Sequence, residues 1–344
     1  MTSFYPTPEP PLKLDSLVLD DLPKGKLSRV MLTLVHDGLG HPIKLPILII
    51  RGQRTGPVFG ITAALHGNEL NGIPVVHRLM KELDPKRVKG MVVAAVAANV
   101  PGLLMHRREL NDGTDLNHVM PGAADGNMAA VYAHRLVERV IRHFDYLLDL
   151  HTASTGRVNS LYVRANMDDT IAANMARLLR PQIILHNPPS DRTLRGTAED
   201  LGIPAITVEI GNPHVYQPTF IRNTIIGVRR VLAFAGVIAR RPPHDRPPPM
   251  VCDRSRWIYT DHGGLLQVLP PVAEVVEAGQ VIARLTDAFG QVTREYLAPE
   301  QGVVIGKSVY PVAQTGARIL HLGHIAPSRS PLRENRDPTQ ESST

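Results

Sequence analysis

The chain has 344 residues, which is enough for one large α/β domain and a smaller one. Of these residues 43% are hydrophobic and 20% are charged, as is usual for a soluble globular protein. The net charge of +6 comes without a dense Lys/Arg block interleaved with aromatic residues, so we expect no nucleic-acid partner. No apolar run approaches the roughly 20 residues that span a bilayer, and the N-terminus does not resemble a signal peptide. A single cysteine, Cys252, excludes an internal disulfide and fits a reducing compartment. We therefore expect a cytoplasmic protein without a membrane partner.

Strand-like and helix-like segments alternate through the first 240 residues. Residues 1–27 carry several prolines and are predicted to form an N-terminal arm on the surface. Predicted strands cover residues 30–35, 46–50, 57–65, 90–96, 146–151, 161–163, 183–185 and 205–210. Predicted helices cover residues 73–80, 128–143, 170–179, 197–201 and 219–234. This alternation predicts an α/β domain over residues 28–240, with a mixed sheet flanked by helices.

A proline-rich break over residues 241–250 cannot hold a helix or an inner strand and is predicted to be a linker. Beyond it, short β-type runs separated by Gly and Pro predict a small all-β domain over residues 251–324. Parts of this domain resemble the halves of a biotinyl or lipoyl carrier fold, but residues 286–290 at the hairpin tip contain no lysine to modify. We expect a structural domain that shapes the site entrance or a subunit contact. The polar residues 325–344 are predicted to be disordered.

The segment from His66 to Glu69 directly follows the apolar run over residues 57–65. A histidine and a glutamate three residues apart share one face of a turn, so both can reach one metal ion. A second apolar run, residues 146–150, ends in His151. Open α/β sheets bind ligands outside the carboxyl ends of their strands, where these three side chains would meet. Two imidazoles and one carboxylate form the ligand set of a catalytic zinc with an open position.

Two further carboxylates suit hydrolysis at such a metal. Asp149 lies two residues before His151, so it can hold the other ring nitrogen of that imidazole. Glu209 lies within the apolar run 205–210, where a carboxylate is costly unless it is paired or functional. Close to a metal, Glu209 could take a proton from water and pass it to the leaving nitrogen. The alternative is that Glu209 has a structural role and forms an ion pair with a nearby arginine.

The polar, turn-rich residues 107–118 form a loop too long for a simple hairpin, and such loops in compact domains are usually functional or disordered. Arg107 or Arg108 could hold a carbonyl oxygen as it becomes an oxyanion. Asn117 could donate a hydrogen bond to a substrate carboxylate. The alternative interpretation of the two arginines is that they are solvated surface residues.

In this order, the segments resemble the succinylglutamate desuccinylase/aspartoacylase family, whose catalytic domain has the zinc carboxypeptidase fold. The matching stretches are residues 66–69, 99–102, 112–117, 121–122, 149–152 and 208–211. The resemblance covers about residues 28–324. It implies that His66, Glu69 and His151 bind one zinc ion per subunit and that Glu209 is the general base and acid. It also implies that one arginine polarises the scissile carbonyl, and the spacing to Asp112 slightly favours Arg107 over Arg108.

One position departs from the family pattern. The family usually has Asp-Leu-Asn-Arg, whereas residues 115–118 of this chain end in His118. A neutral histidine cannot grip a carboxylate with two parallel hydrogen bonds as arginine does. Either another arginine, such as Arg192 or Arg195, takes that role or the substrate lacks the group. Besides Arg108, we expect Asn117, His118 and Arg195 to contact the substrate.

These features predict a zinc-dependent deacylase that cleaves the amide bond of an N-acyl amino acid or a related small amide. One alternative is a metallocarboxypeptidase, which the missing arginine disfavours. Another is a non-catalytic metal-binding protein with a degenerate site, which His118 favours and the retained ligands disfavour. The acyl group, the amino portion and a homo-oligomeric state stay open, and the same ligands would also hold cobalt or nickel.

Overall fold

One large sheet runs through the computed structural model, which describes residues 9–190, 192–240 and 247–326. Its strands follow the order β1-β2-β3-β5-β4-β6-β10-β8-β9-β11-β18-β16-β13, with β7 paired to β16, and a second sheet has the order β15-β14-β12-β17. The strands are β1 (Leu12–Leu14), β2 (Lys26–His36), β3 (Pro42–Arg51), β4 (Arg54–Ala63), β5 (Lys89–Ala95), β6 (Tyr146–His151), β7 (Arg157–Asn159), β8 (Leu161–Ala165), β9 (Ile183–His186), β10 (Ala205–Ile210), β11 (Met250–Tyr259), β12 (Gly264–Val268), β13 (Val275–Val276), β14 (Val281–Thr286), β15 (Val292–Leu297), β16 (Gly302–Ser308), β17 (Val312–Ala313) and β18 (Arg318–Ile325). The expected mixed sheet is confirmed.

Helices cover both faces of this sheet. They are α1 (Gly72–Glu82), α2 (Val100–Leu104), α3 (Met128–Arg139), α4 (Thr170–Leu179), α5 (Leu194–Asp200) and α6 (Pro218–Phe234), with single 3-10 turns at Leu19–Asp21, Leu116–His118 and Ile141–His143. The buried faces of α1, α4 and α6 share one apolar core, and those of α3 and α5 share another. A sheet with a core on each face must bury alternate residues of every central strand on opposite sides.

Strands β4, β6 and β10 lie side by side and run parallel, so their carboxyl ends meet at one edge of the sheet. Along β6 and β10, even-numbered apolar residues belong to the α1/α4/α6 core. Asp149, His151 and Glu209 are odd-numbered and therefore point to the other face. In the register, Glu209 lies opposite His151. This pairing alone brings two of the predicted site residues together.

The residues after the linker are entirely β-structured in the part of the chain that the structure describes, as expected. They do not all form a separate sheet, however. Strand β11 pairs in parallel with β9, and β16 pairs with β7, so the large sheet continues into the C-terminal region. The exact domain bounds stay a prediction. Residues 241–246 of the linker and 327–344 of the tail lie outside the described residues, while Ile325 is the last residue of β18.

The N-terminal arm is more integrated than the sequence indicated. Strand β1 pairs in parallel with β2, and Leu17 and Leu22 are buried in the core under α3 and α5. These two apolar side chains explain the packing, whereas the prolines had favoured a segment lying on the surface. Residues 1–8 lie outside the described part of the arm. Among the described residues, we find no helix with the length and apolar character needed to cross a bilayer.

Candidate metal centre and substrate cavity

Three side chains converge at the carboxyl edge of β4 and β6. Strand β4 ends at Ala63, and Ala64 then adopts a φ of 49°, which turns the chain sharply before His66. Gly67 is required in this turn because a Cβ there would lie 2.0 Å from the carbonyl carbon of Gly102. The close approach holds the turn against α2, which precedes the loop that carries the arginines predicted to act in the site.

The predicted ligand atoms lie close to one another. His66 Nδ1 is 2.9 Å from Glu69 Oε1, and His151 Nδ1 is 3.0 Å from Glu69 Oε2 and 3.1 Å from His66 Nδ1. All three residues are buried, and no pair of candidate ligand atoms is more than 4.8 Å apart. The structure therefore brings His66, Glu69 and His151 together, although they come from segments 82 residues apart in the chain.

The donor set fits a small divalent metal. Tetrahedral zinc with bonds of about 2.0–2.2 Å separates its ligand atoms by roughly 3.4 Å, close to the observed spacings. Burial disfavours the Glu69 carboxylate, yet the His66 and His151 imidazoles hold its pKa well below the usual range, so it is ionised. An anionic oxygen and two imidazole nitrogens packed without intervening side chains are suited to a cation and costly without one.

Each imidazole also contacts a second carboxylate through its other ring nitrogen. His151 Nε2 lies 2.6 Å from Asp149 Oδ2, and the Thr62 hydroxyl donates to Asp149 Oδ1 at 2.6 Å. His66 Nε2 lies 3.1 Å from Asp115 Oδ1. Carboxylates in these positions fix the tautomer and orientation of metal-binding histidines. The Asp149 contact was predicted, whereas the Asp115 contact was not.

Arg108, and not Arg107, faces the ligand cluster. Its Nη1 donates to Glu69 Oε1 at 3.0 Å and to Ser154 Oγ at 2.8 Å, while its Nε donates to Asp115 Oδ2 at 2.8 Å. Arg107 is exposed and does not line the cavity. The sequence-based preference for Arg107 disagrees with this placement. The reason is that the Gly67 N–H and Asn99 Nδ2 both donate to the Arg108 carbonyl, which fixes the loop with residue 108 inward.

Glu209 lies beside the cluster at the end of β10 and is 7% exposed. Its Oε2 accepts a hydrogen bond of 3.2 Å from Asn159 Nδ2, and its Oε1 lies 3.6 Å from Arg164 Nε. Burial raises the pKa of Glu209 above its usual value, and Arg164 partly opposes this effect. A Cβ on Gly306 would lie 2.2 Å from Asn159 Oδ1, so strand β16 must present a glycine here. A carboxylate with a raised pKa next to a candidate metal site is suited to proton transfer.

A cavity of about 430 Å³ opens onto the cluster. Asn117, His118 and Arg195, which the sequence predicted as substrate contacts, all line it. Asn117 Oδ1 accepts from the Leu194 N–H at 2.8 Å, and its amide nitrogen has no hydrogen-bond acceptor among the described residues. Arg195 donates twice to Asn187, at 2.6 Å each, while the His118 side chain is 75% exposed at the rim.

Several lining residues were not anticipated from the sequence. They are Asp115, Ser154, Arg157, Asn159, Tyr162, Arg164, Trp257 and Arg318. Asp115 could have been predicted from the sequence, because it lies between Arg108 and Asn117 in the polar loop of residues 107–118. Trp257 and Arg318 come from the C-terminal region, whose strands join the large sheet through the pairing of β11 with β9 and of β16 with β7. No local pattern in the sequence indicates these pairings.

Comparisons with known proteins agree with this geometry. Residues 55–235 match the model of the succinylglutamate desuccinylase/aspartoacylase catalytic domain. The chain is 27% identical over 304 residues to N-alpha-acetyl-L-2,4-diaminobutyric acid deacetylase of Halomonas elongata, covering 83% of this chain and 87% of that protein. Residues 55–235, which match the family model, contain His66, Glu69 and His151 together with Arg108 and Glu209.

Solved structures share the fold. A succinylglutamate desuccinylase/aspartoacylase from Rhodobacter sphaeroides has a TM-score of 0.81 at 20% identity, covering 91% of this chain and 99% of its own. The product-bound ectoine utilization protein EutE (DoeB) from Ruegeria pomeroyi has a TM-score of 0.80 at 19% identity, covering 88% of this chain and 97% of its own. At these identities the likeness concerns the fold alone, which here includes the C-terminal region.

Proposed function

Because the chain belongs to the succinylglutamate desuccinylase/aspartoacylase family of amide hydrolases, we propose that it is a zinc-dependent deacylase of N-acyl amino acids. The observation that carries this proposal is the convergence of His66, Glu69 and His151 beside the buried Glu209. The Halomonas relative, a deacetylase of an acetylated diamino acid by its name, supports the substrate class. The free, buried Cys252 fits the reducing compartment expected from the sequence.

His66, Glu69 and His151 would hold one metal ion, with Asp115 and Asp149 orienting the two imidazoles. When bound, such an ion supplies a water with a pKa lowered to about 7 and polarises the substrate carbonyl. Glu209 accepts the proton from the attacking water and delivers it to the leaving nitrogen. Its raised pKa favours the first of these steps, because the conjugate base of a weaker acid is the stronger base.

Arg108 would stabilise the negative charge that develops on the carbonyl oxygen. We expect Arg108→Gln to lower kcat by about 100- to 1000-fold, as the loss of an oxyanion donor does. Arg107→Gln is the matched control, since the neighbouring arginine is exposed and outside the cavity. Steady-state kinetics and metal content of both variants test this assignment. A larger loss in the Arg107 variant would transfer the role to that residue.

Arg195 and Asn117 would bind the amino-acid carboxylate, in place of the arginine that His118 replaces. Burial lowers the pKa of Arg195 to about 10, which still leaves the guanidinium charged at neutral pH. Its two bonds to Asn187 hold the guanidinium in place, so little side-chain entropy is lost on binding. The exposed His118 contributes at the rim of the cavity.

The experiment that tests the function compares N-acyl amino acids with short peptides. We expect the purified enzyme to release free amino acid from N-acyl amino acids, to lose the activity on dialysis against a chelator, and to regain it with zinc. Peptides should be cleaved at least about tenfold less efficiently, because His118 stands where the family pattern has the arginine that grips a terminal carboxylate. Preferential peptide cleavage would favour a carboxypeptidase, and activity insensitive to chelation would refute the metal-dependent mechanism.

A further inference from the structure

The cavity carries more positive charge than its proposed chemistry uses. Five arginines line it, Arg108, Arg157, Arg164, Arg195 and Arg318, against three carboxylates. Arg108 and Arg164 lie within 4.0 Å of these carboxylates. In the described parts of the chain, the other three have no carboxylate within that distance. Of these, Arg195 is assigned above, which leaves Arg157 and Arg318 without a role.

Both remaining guanidiniums lie against one indole ring. The Cζ atom of Arg318 is 5.1 Å from the centroid of Trp257, and that of Arg157 is 5.7 Å from it. The imidazole of His321 stacks on the Trp257 ring, with the ring centroids 4.9 Å apart and an interplanar angle of 10°. Burial lowers the pKa of His321 to about 3, so this imidazole is neutral and adds no charge. The cation–π contacts hold two like charges close together without neutralising either.

This group is formed by both regions of the chain. Trp257 and Arg318 project from β11 and β18, while Arg157 lies on β7 and is held in register with Ser308 of β16. Because these strands belong to one sheet, the two guanidiniums are carried on a rigid support. Each guanidinium presents a fork of donors that matches a carboxylate, and both lie against the same aromatic ring. The arrangement is therefore prepared for an anion before any ligand arrives.

We propose that Arg157, Arg318 and Trp257 form a second anion-binding subsite, contributed largely by the C-terminal region, which takes a second carboxylate of the substrate. The inference rests on the proposed function, since it assumes that the cavity holds an acylated amino acid. It assigns the C-terminal region a direct part in substrate selection. Substrates with two carboxylates are then preferred over neutral analogues of the same shape.

Trp257 provides a direct readout, because it is the single tryptophan of the chain. We expect succinate to cause a saturable change in the tryptophan fluorescence of the full-length, metal-loaded enzyme, whereas the neutral isostere succinamide does not. Arg318→Gln should raise the half-saturating succinate concentration about tenfold, the effect of one lost charge-assisted hydrogen bond. The matched control is Arg256→Gln, an exposed arginine on β11 that pairs with Glu300 outside this cavity. Unchanged fluorescence in the unmodified enzyme, or equal responses from both variants, would overturn the subsite.

Kinetics provide an independent test with two matched substrate pairs. They are N-succinyl- and N-succinamoyl-L-alanine, and N-acetyl-L-glutamate and N-acetyl-L-glutamine. The two pairs place the second carboxylate in the acyl group and in the amino acid, respectively. For the pair whose carboxylate reaches the subsite, Arg157→Gln and Arg318→Gln should each raise KM about tenfold for the charged member. The kcat of the charged member and both constants of the neutral member should stay within about twofold. Equal effects on charged and neutral members would contradict the subsite while leaving the deacylase function intact. If the unmodified enzyme cleaves none of the four, the deacylase function fails, and the fluorescence titration still decides the subsite.

Discussion

Replacing Glu209 by glutamine is expected to lower kcat by about 100- to 10,000-fold while leaving the metal content unchanged, because general acid–base catalysis contributes a factor of this size. Glutamine keeps the shape and can still accept the hydrogen bond from Asn159, but it cannot take up a proton. Metal analysis and kinetics on the same preparation separate the two properties. Near-normal turnover in this variant would remove Glu209 from the mechanism.

The pH profile gives a second view of the same residue. Only the ionised carboxylate accepts a proton, so kcat/KM should rise with pH as Glu209 deprotonates. Burial raises its pKa, so the acidic limb should lie above the 4.5 of an ordinary glutamate. Asp145→Asn, a carboxylate at the opposite end of the neighbouring strand β6, should leave that limb unchanged. An acidic limb at or below the ordinary value would contradict the assignment.

Replacing His151 by alanine is expected to abolish stoichiometric metal binding and, with it, activity. The variant removes one of the three ligands and leaves the Glu69 and Asp149 carboxylates without the imidazole that lies between them. Equilibrium dialysis with zinc, followed by elemental analysis, measures the loss. His41→Ala, on the exposed turn between β2 and β3, is the matched control and should bind one ion as before.

A milder substitution tests whether misfolding, and not the loss of a ligand, explains the lost metal binding of His151→Ala. Asp149→Asn keeps all three ligands and changes only the group that orients His151, so metal affinity should fall by about 10- to 100-fold. Circular dichroism of both variants checks that the fold is retained. Full metal occupancy in a folded His151→Ala protein would show that the cation binds elsewhere.

Much of the fold and the positions of the candidate ligands followed from local patterns. His66 and His151 each come directly after an apolar run, and parallel strands place such residues at one edge whatever the strand order. The choice between Arg107 and Arg108 could not be made in this way. Successive side chains of a loop point in different directions, and here backbone contacts from Gly67 and Asn99 select residue 108.

The residues missed altogether depend on contacts between distant segments. Trp257 and Arg318 approach the cavity because β11 joins the large sheet beside β9, and neither residue lies in a motif. Similarly, Asn159 reaches Glu209 from a three-residue strand that is too short to show periodicity. These positions follow from tertiary pairing, which one sequence does not record.

The pairing of β7 with β16 limits which chimeric proteins can be built from this enzyme. A chimera that took residues 250–326 from another protein would retain every proposed metal ligand, yet it would place a foreign strand against Asn159, the neighbour of the Glu209 carboxylate. The donor would have to supply a glycine at position 306, since any Cβ there would collide with the Asn159 amide. Grafting a new specificity through the C-terminal half would therefore also affect the proton transfer that we propose for Glu209.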